Sequence, residues 1–189
     1  MVPKAKNRIR PEKICLAIIL GLFLWTGCEE SAGPRVVTDE KQTIVEKSPD
    51  RIIVHLYFSD SDNSFLISEE RSLPARNRPE ALGVLIVEAL LEGPKQVLER
   101  TIPEGTTLRG FYILKNRTAY VDLSREIQAG HPGGAKSELM TIYSMVNSLI
   151  LNVPEIESVK ILVEGKEETT LAGHVDLRFP LRANMLFVR

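Results

Sequence analysis

Cys28 is the residue whose type and position most directly indicate chemistry, because a cysteine thiol in this context can be acylated by lipid. It ends the string Leu24-Trp25-Thr26-Gly27-Cys28, which resembles a lipobox with Trp25 where leucine is usual. A basic segment and an apolar run over residues 14–25 come before it, and this order is typical of a secretory signal peptide. We therefore predict a lipoprotein signal peptide over residues 1–27, with Cys28 as the acylated N-terminus of the mature protein.

Two other interpretations of the apolar run are less consistent with its length and position. A transmembrane helix needs about 20 apolar residues, whereas residues 14–25 number only 12. A buried core helix is the second alternative, but the run is apolar on all sides and lies at the extreme N-terminus. The signal-peptide interpretation predicts an extracytoplasmic protein that is anchored to the membrane through lipid. Glu29, rather than Asp, after the cysteine favours the periplasmic side of the outer membrane if the bacterium has two membranes.

Residues 28–50 are predicted to form a lipidated N-terminus followed by a flexible tether. The stretch is mostly polar, contains the breaker pair Gly33-Pro34 and shows no sustained hydrophobic period. As free coil, residues 29–49 would span about 25 Å, and fully stretched they would reach roughly 70 Å. Either length would hold the following domain clear of a lipid surface.

Charge and cysteine content exclude several classes of protein. The whole chain carries a net charge of −1 and the first 27 residues carry +4, so residues 28–189 carry −5. This mildly acidic balance lacks the basic patch that a nucleic-acid partner requires. Cys15 and Cys28 are the only cysteines, so a mature chain that begins at a lipidated Cys28 has no disulfide. Residues 51–189 then form one domain that buries roughly two-thirds of its unfolded surface.

The remaining reactive side chains form no recognisable catalytic or metal-binding pattern. His55, His131 and His174 are scattered, without the close spacing that metal ligands usually have. The adjacent carboxylates Glu69-Glu70 and Glu167-Glu168 are interpreted as solvated charge, because neighbours in a strand point apart. We therefore predict a non-enzymatic protein with no cofactor and no metal.

The loop of residues 130–134, Gly-His-Pro-Gly-Gly, is the one place where sequence suggests a ligand. Glycines before a helix can expose backbone N–H groups to an anion. The candidate ligand-binding residues are His131, Gly133 and Gly134. The alternative is a flexible loop that leads into the helix and simply tolerates glycine.

Hydrophobic periodicity supplies the elements that must position these residues. Strands are predicted over residues 52–58, 65–73, 108–114, 118–123, 158–163 and 174–179. A first helix has Leu82, Leu85, Ile86, Ala89 and Leu90 on one face and ends at Gly93-Pro94. A second helix extends from near Ser137 to Asn152. The order ββαββαββ predicts an α+β fold in which one mixed or antiparallel sheet has both helices packed on it.

Several segments, taken in order, resemble the GerMN domain of GerM-type sporulation and germination proteins. The resemblance extends over residues 53–181 and rests on six strings of residues. They are Leu56-Tyr57-Phe58, Glu69-Glu70-Arg71, Ala89-Leu90-Leu91-Glu92-Gly93-Pro94, Ile102-Pro103-Glu104-Gly105-Thr106, Ala119-Tyr120-Val121-Asp122-Leu123-Ser124 and Val159-Lys160-Ile161-Leu162-Val163-Glu164-Gly165. The resemblance implies an extracytoplasmic module without known catalytic residues, often carried by a lipoprotein. GerM proteins carry two copies in tandem, whereas this chain has one.

Together these features predict a lipid-anchored cell-envelope protein that binds other envelope proteins or its own copies. A receptor for a small ligand or a cell-wall glycan, with its site near residues 130–134, is the alternative. A hydrolase with an unrecognised site is a third hypothesis.

Overall fold

The computed structural model describes residues 50–189 of the chain. The predicted signal peptide, Cys28 and all but the last residue of the predicted tether lie outside this part. The strands are β1 (Arg51–Ser59), β2 (Leu66–Pro74), β3 (Leu108–Ile113), β4 (Thr118–Leu123), β5 (Ser158–Val163) and β6 (Lys166–Glu167). The helices are α1 (Pro79–Glu92), α2 (Glu126–Ala129) and α3 (Ala135–Asn152), with a 3₁₀ helix at Met185–Phe187.

β1 and β2 form an antiparallel hairpin, and the two predicted strands are confirmed. Val54, Leu56 and Phe58 alternate along β1 and point into the main core. Tyr57 points to the other face, where it packs with Leu66 and other residues in a second, smaller cluster. The second half of β1 is therefore buried on both faces, whereas Ile52 and Ile53 at its start are exposed.

α1 packs against the main core and next to β3, but one of its predicted core positions is wrong. Ile86 and Leu90 are fully buried, whereas Leu85 is only partly buried. The buried face of α1 includes Gly83, because the ring of Phe111 packs against the helix where a Gly83 side chain would otherwise lie. A Cβ atom on Gly83 would lie 2.3 Å from that ring.

β3, β4, β5 and β6 form a four-stranded sheet in that order. β3 and β4 are antiparallel and joined by a short turn, as predicted, while β4 and β5 are parallel. A parallel connection needs a crossover of a dozen or more residues, and here α2 and α3 provide it. Alternate residues of the central strands, such as Val121 and Ile161, point into the same core as the helices.

The α+β class is confirmed, but the strands form two sheets where one was predicted. The edge of β1 that could have joined the larger sheet is bonded instead by side chains of α3. Asn152 binds both the N–H and the C=O of His55, while Ser148 and Ser144 bind the N–H and the C=O of Tyr57. These three side chains are spaced four residues apart and therefore lie on one face of the helix. Their bonds close this edge of the hairpin.

The last predicted strand, residues 174–179, is wrong: the segment is irregular. Two buried charged side chains bond the backbone groups that a strand partner would have taken. Glu138 accepts the N–H of His174 at 2.8 Å, and Lys160 donates to the carbonyls of Leu177 and Arg178 at 2.9 and 2.7 Å. The short α2 was also not predicted.

Candidate functional site

The loop of residues 130–134 lies between α2 and α3, directly before the first turn of α3. Gly133 and Gly134 have φ values of 81° and 84°, a region that favours glycine. No atom outside the loop lies within 4 Å of the position where either Cβ would be. Backbone conformation therefore accounts for these two glycines without a closely packed ligand.

His131 is held by hydrogen bonds on both ring nitrogens. Nδ1 accepts the N–H of Gly133 at 3.0 Å, and Nε2 lies 3.2 Å from the Thr141 hydroxyl, which itself donates to the carbonyl of Thr101. This arrangement fits the neutral ring with its proton on Nε2. Burial lowers the pKa of His131 below 6.5, although the Glu138 carboxylate partly opposes that effect. The ring stabilises the loop, and ligand binding by His131, Gly133 and Gly134 stays a prediction.

A cavity of about 350 Å³ lies beside this loop. It is bounded by the β1–β2 turn, residues 99–103, Pro132 and the start of α3. Two polar side chains of its wall have partners within the protein: Thr101 bonds Ser144 at 2.7 Å, and Asn63 bonds Ser137 at 3.0 Å.

Glu138, in the first turn of α3, is a buried carboxylate that hydrogen-bonds the backbone of a loop distant from it in sequence. Its oxygens accept the N–H groups of Leu171, Ala172 and His174 at 2.8 to 2.9 Å, and its side chain is 0% exposed. Burial raises the pKa of this carboxyl, but the backbone hydrogen bonds outweigh that effect and hold it below 4.5. His174 Nδ1 lies 3.3 Å from the same carboxylate.

Glu69 is the second buried carboxylate, and its interpretation as solvated charge is wrong. Its neighbour Glu70 is exposed as predicted, but Glu69 is 1% exposed and accepts the N–H groups of Lys95 and Gln96 at 2.8 Å. Arg71 forms an ion pair with it and donates to the carbonyl of Gly93 at 3.0 Å. Desolvation raises the pKa of Glu69, and the bonds from Arg71 and the backbone hold it below 4.5. This cluster joins β2 to the end of α1.

Among residues 50–189, no group of three or more His, Cys, Asp and Glu side chains is arranged to hold a metal ion. His55 hydrogen-bonds the Ser68 hydroxyl at 3.2 Å, whereas His131 and His174 both interact with the Glu138 carboxylate. No helix in the same stretch combines the length and the apolar character needed to cross a bilayer.

The outer side of β2 presents an open strand edge. In an antiparallel pair, residues alternate between bonding across the ladder and pointing away from it. His55 and Tyr57 bond to α3, so they point away from β2. Their register partners Glu70 and Ser68 must then point away from β1. We call the outward N–H and C=O groups of Ser68 and Glu70 the β2 edge.

The β2 edge is exposed at both residues, and its backbone groups have no hydrogen-bond partner within residues 50–189. Immediately beside it, the Leu66 carbonyl accepts the N–H of Arg189 at 3.1 Å in a parallel bridge. At the other end, the guanidinium of Arg51 donates to the carbonyl of Ser72. The β2 edge therefore lies between two positions where partners already bind the strand.

β3 also has an outer side, but it is less accessible. The N–H of Leu114 donates to the carbonyl of Thr118, so Phe111 and Ile113 point away from β4. Phe111 is 9% exposed and packs against α1, and Ile113 is partly buried. The exposed positions of β2 offer an approaching strand more room.

Comparison with known proteins identifies the fold. The sequence model of the Germane family, described as sporulation and spore germination, matches residues 55–169. Among curated proteins, none matches the chain. A solved candidate lipoprotein from Clostridium perfringens is 27% identical, with 70% of this chain and 87% of that chain covered and a TM-score of 0.50.

Two structures of the sporulation protein GerM from Bacillus subtilis share the fold. The tandem GerMN domains give a TM-score of 0.59 at 21% identity, and the first GerMN domain gives 0.54 at 19%. Each match covers 70% of this chain, but 46% of the tandem chain against 98% of the single domain. The predicted resemblance to GerMN domains is confirmed. Since the family model spans more than half of its sequence, this protein belongs to the Germane family of sporulation and spore germination.

Proposed function

We propose that this protein is a lipid-anchored component of the cell envelope whose domain binds an extended segment of another envelope protein. The proposed anchor is Cys28, and the proposed binding element is the β2 edge. The protein acts by association, without catalysing a reaction.

The anchor is supported by the lipobox-like string before Cys28 and by the likeness to a candidate lipoprotein. A membrane-attached, extracytoplasmic location follows from that anchor. A role in sporulation or germination is the function by which the family is described. We therefore propose that the binding to another envelope protein serves sporulation or germination.

The open β2 edge is the observation that carries the binding proposal. Unpaired N–H and C=O groups on an exposed strand are a template for a further strand. The parallel bridge between Leu66 and Val188 supports this, because it is a strand-like contact on the same side of β2. The flanking Ser68 and Glu70 side chains are polar, which discourages indiscriminate aggregation.

Site-specific crosslinking in the membranes of intact cells tests this proposal. Photoreactive residues at positions 68 and 70 report on the β2 edge, and one at Lys115, in the exposed turn between β3 and β4, is the matched control. We expect the same discrete protein adduct from positions 68 and 70 and none from position 115. Equal adducts from all three positions, or none from the two edge positions, would contradict the proposal.

A further inference from the structure

The outer face of the four-stranded sheet, opposite the helices, carries two tyrosines in register. Tyr112 on β3 and Tyr120 on β4 are direct antiparallel partners, so their side chains lie on the same face. Their neighbours Phe111 and Val121 are buried on the core side, which places the tyrosines on the opposite, solvent side. We call Tyr112, Tyr120 and Gly110 the tyrosine face.

The ring of Tyr112 lies over Gly110 along the strand. A Cβ atom at Gly110 would be 3.0 Å from the ring carbon Cε2 and 3.0 Å from the phenol oxygen of Tyr112. The side chain is nevertheless 60% exposed. Glycine thus allows the ring to rest against the sheet while much of its surface remains in solvent. Within residues 50–189 neither tyrosine hydroxyl has a hydrogen-bond partner.

Polar side chains border the tyrosine face without leaving an unpaired positive charge. Asp122, the register partner of Gly110, accepts the N–H of Gly165 at 2.7 Å. Arg109 lies 3.9 Å from the carboxylates of both Asp122 and Glu164. Phosphate and nucleic-acid ligands need cations that are free to bind them, so this face suits an uncharged ligand.

The exposed aromatic area also limits the size of the ligand. Tyr112 is 60% exposed, Leu114 two positions further on is 47% exposed and Tyr120 is partly buried, which is a smaller area than the roughly 800 Å² that each partner of a stable protein pair buries. One or two sugar rings are of matching size. A sugar ring can place its C–H groups on an aromatic ring while its hydroxyls bind neighbouring carboxylate, guanidinium and phenol groups.

We propose that the tyrosine face is a glycan-binding site, with Tyr112 as the stacking platform and Arg109 and Asp122 as hydrogen-bonding partners of the sugar hydroxyls. The site lies on a different sheet from the β2 edge and is independent of protein binding there. It also lies apart from the loop of residues 130–134.

Calorimetry on the full chain, in a detergent without a sugar headgroup, tests this proposal. The probes are a tetramer of N-acetylglucosamine, which represents the cell-wall type of sugar, and a tetramer of glucose. We expect at least one to bind, with Tyr112→Ala weakening its affinity about tenfold or more through loss of stacking. Tyr112→Phe should bind nearly as well as the wild type, because it keeps the ring.

Gly110→Ala provides a second variant that leaves the tyrosine in place, since its new Cβ would displace the Tyr112 ring. We expect it also to weaken binding. Leu151→Ala, on the exposed side of α3, is the matched control and should bind as the wild type does. No binding of either tetramer at millimolar concentration would overturn the proposal, as would affinities unchanged in both Tyr112→Ala and Gly110→Ala.

Discussion

At the scale of single residues, two buried carboxylates determine the path of two loops. Glu138 accepts the N–H groups of Leu171, Ala172 and His174, and Glu69 accepts those of Lys95 and Gln96. Each substitutes for a strand partner or a helix cap that the loop would otherwise need. Glu69, its ion-pair partner Arg71 and Gly93 also belong to the strings that carry the family resemblance. Those strings therefore include residues that join one element to another.

Glu138→Gln should lower the free energy of unfolding by about 1–3 kcal/mol, because a buried charged acceptor of three N–H groups is replaced by an amide. Urea denaturation at neutral pH measures this change. Glu70→Gln, at an exposed position, is the control and should leave the midpoint unchanged.

The same variant should alter the dependence of stability on pH. The pKa of Glu138 is lower in the folded state than its ordinary value of 4.5. Its contribution to stability is therefore complete above that value and is lost as the pH falls through the folded-state pKa. On acidification from about pH 5 to pH 3, the wild type should lose more stability than Glu138→Gln. Equal losses in the two proteins would show that this carboxylate is not stabilised by folding.

The roles of these carboxylates could not be predicted from the sequence. Their backbone partners lie 26 to 36 positions away along the chain, and local patterns of charge carry no information at that distance. A glutamate beside another glutamate resembles solvated charge whether or not a loop later folds over it. Glu69 could therefore be identified as a charged residue of β2, but its burial could not be predicted.

At the scale of elements, α3 connects the hairpin to the larger sheet. Its apolar stripe was sufficient to predict a helix, and the helix is confirmed. Its second stripe, Ser144, Ser148 and Asn152, was not recognised, because small polar residues at helical spacing also fit a solvent-facing surface. Because these side chains bond the outward backbone groups of β1, β1 pairs only with β2 and does not join the four-stranded sheet.

Ser148→Ala should cost about 1–3 kcal/mol, because it leaves the buried N–H of Tyr57 without its acceptor. Leu151→Ala removes more atoms but lies at an exposed position of the same helix. It should therefore cost less than Ser148→Ala. Thermal and urea unfolding of the two variants compare them directly, and the reverse order would contradict our account of the β1 edge.

Core packing in α1 leads to a similar comparison between two leucines. Leu90 is fully buried, so Leu90→Ala should cost about 2–5 kcal/mol. Leu85→Ala should cost less than half as much, because Leu85 lies outside the main core. Urea midpoints of the two variants test this difference, and equal costs would mean that the helix face is assigned incorrectly.

At the scale of the whole molecule, we propose a lipid anchor and a tether that lead to a domain with an open strand edge. The order of β1, β2, α1, β3, β4, α3 and β5 could be predicted from periodicity, because each pattern is local, whereas the short α2 and the irregular segment of residues 174–179 could not. The division into two sheets could not, since it depends on side-chain bonds between α3 and β1. The open edge lies on the opposite side of the hairpin, along β2.

Cys28→Ser should release the protein from the membrane, because stable attachment needs more than one acyl chain and the serine receives none. Fractionation of cells that express the wild type or the variant measures the result. Glu29→Gln, which changes the neighbour and keeps the cysteine, is the control. A Cys28→Ser protein that remains fully membrane-bound would exclude lipidation at Cys28 as the anchor.

The most direct test of the account is the yield of the crosslinked adduct from position 70 in intact cells. It should be compared between the wild type, Ser68→Pro and Cys28→Ser. Proline at position 68 removes an outward N–H and the hydroxyl bond to His55, but it removes no backbone bond to β1, so the hairpin should still fold. We expect a clear adduct in the wild type, its loss in Ser68→Pro, and a large decrease in Cys28→Ser because the untethered domain loses its high local concentration. An adduct that forms equally well in Ser68→Pro would contradict strand pairing along the β2 edge.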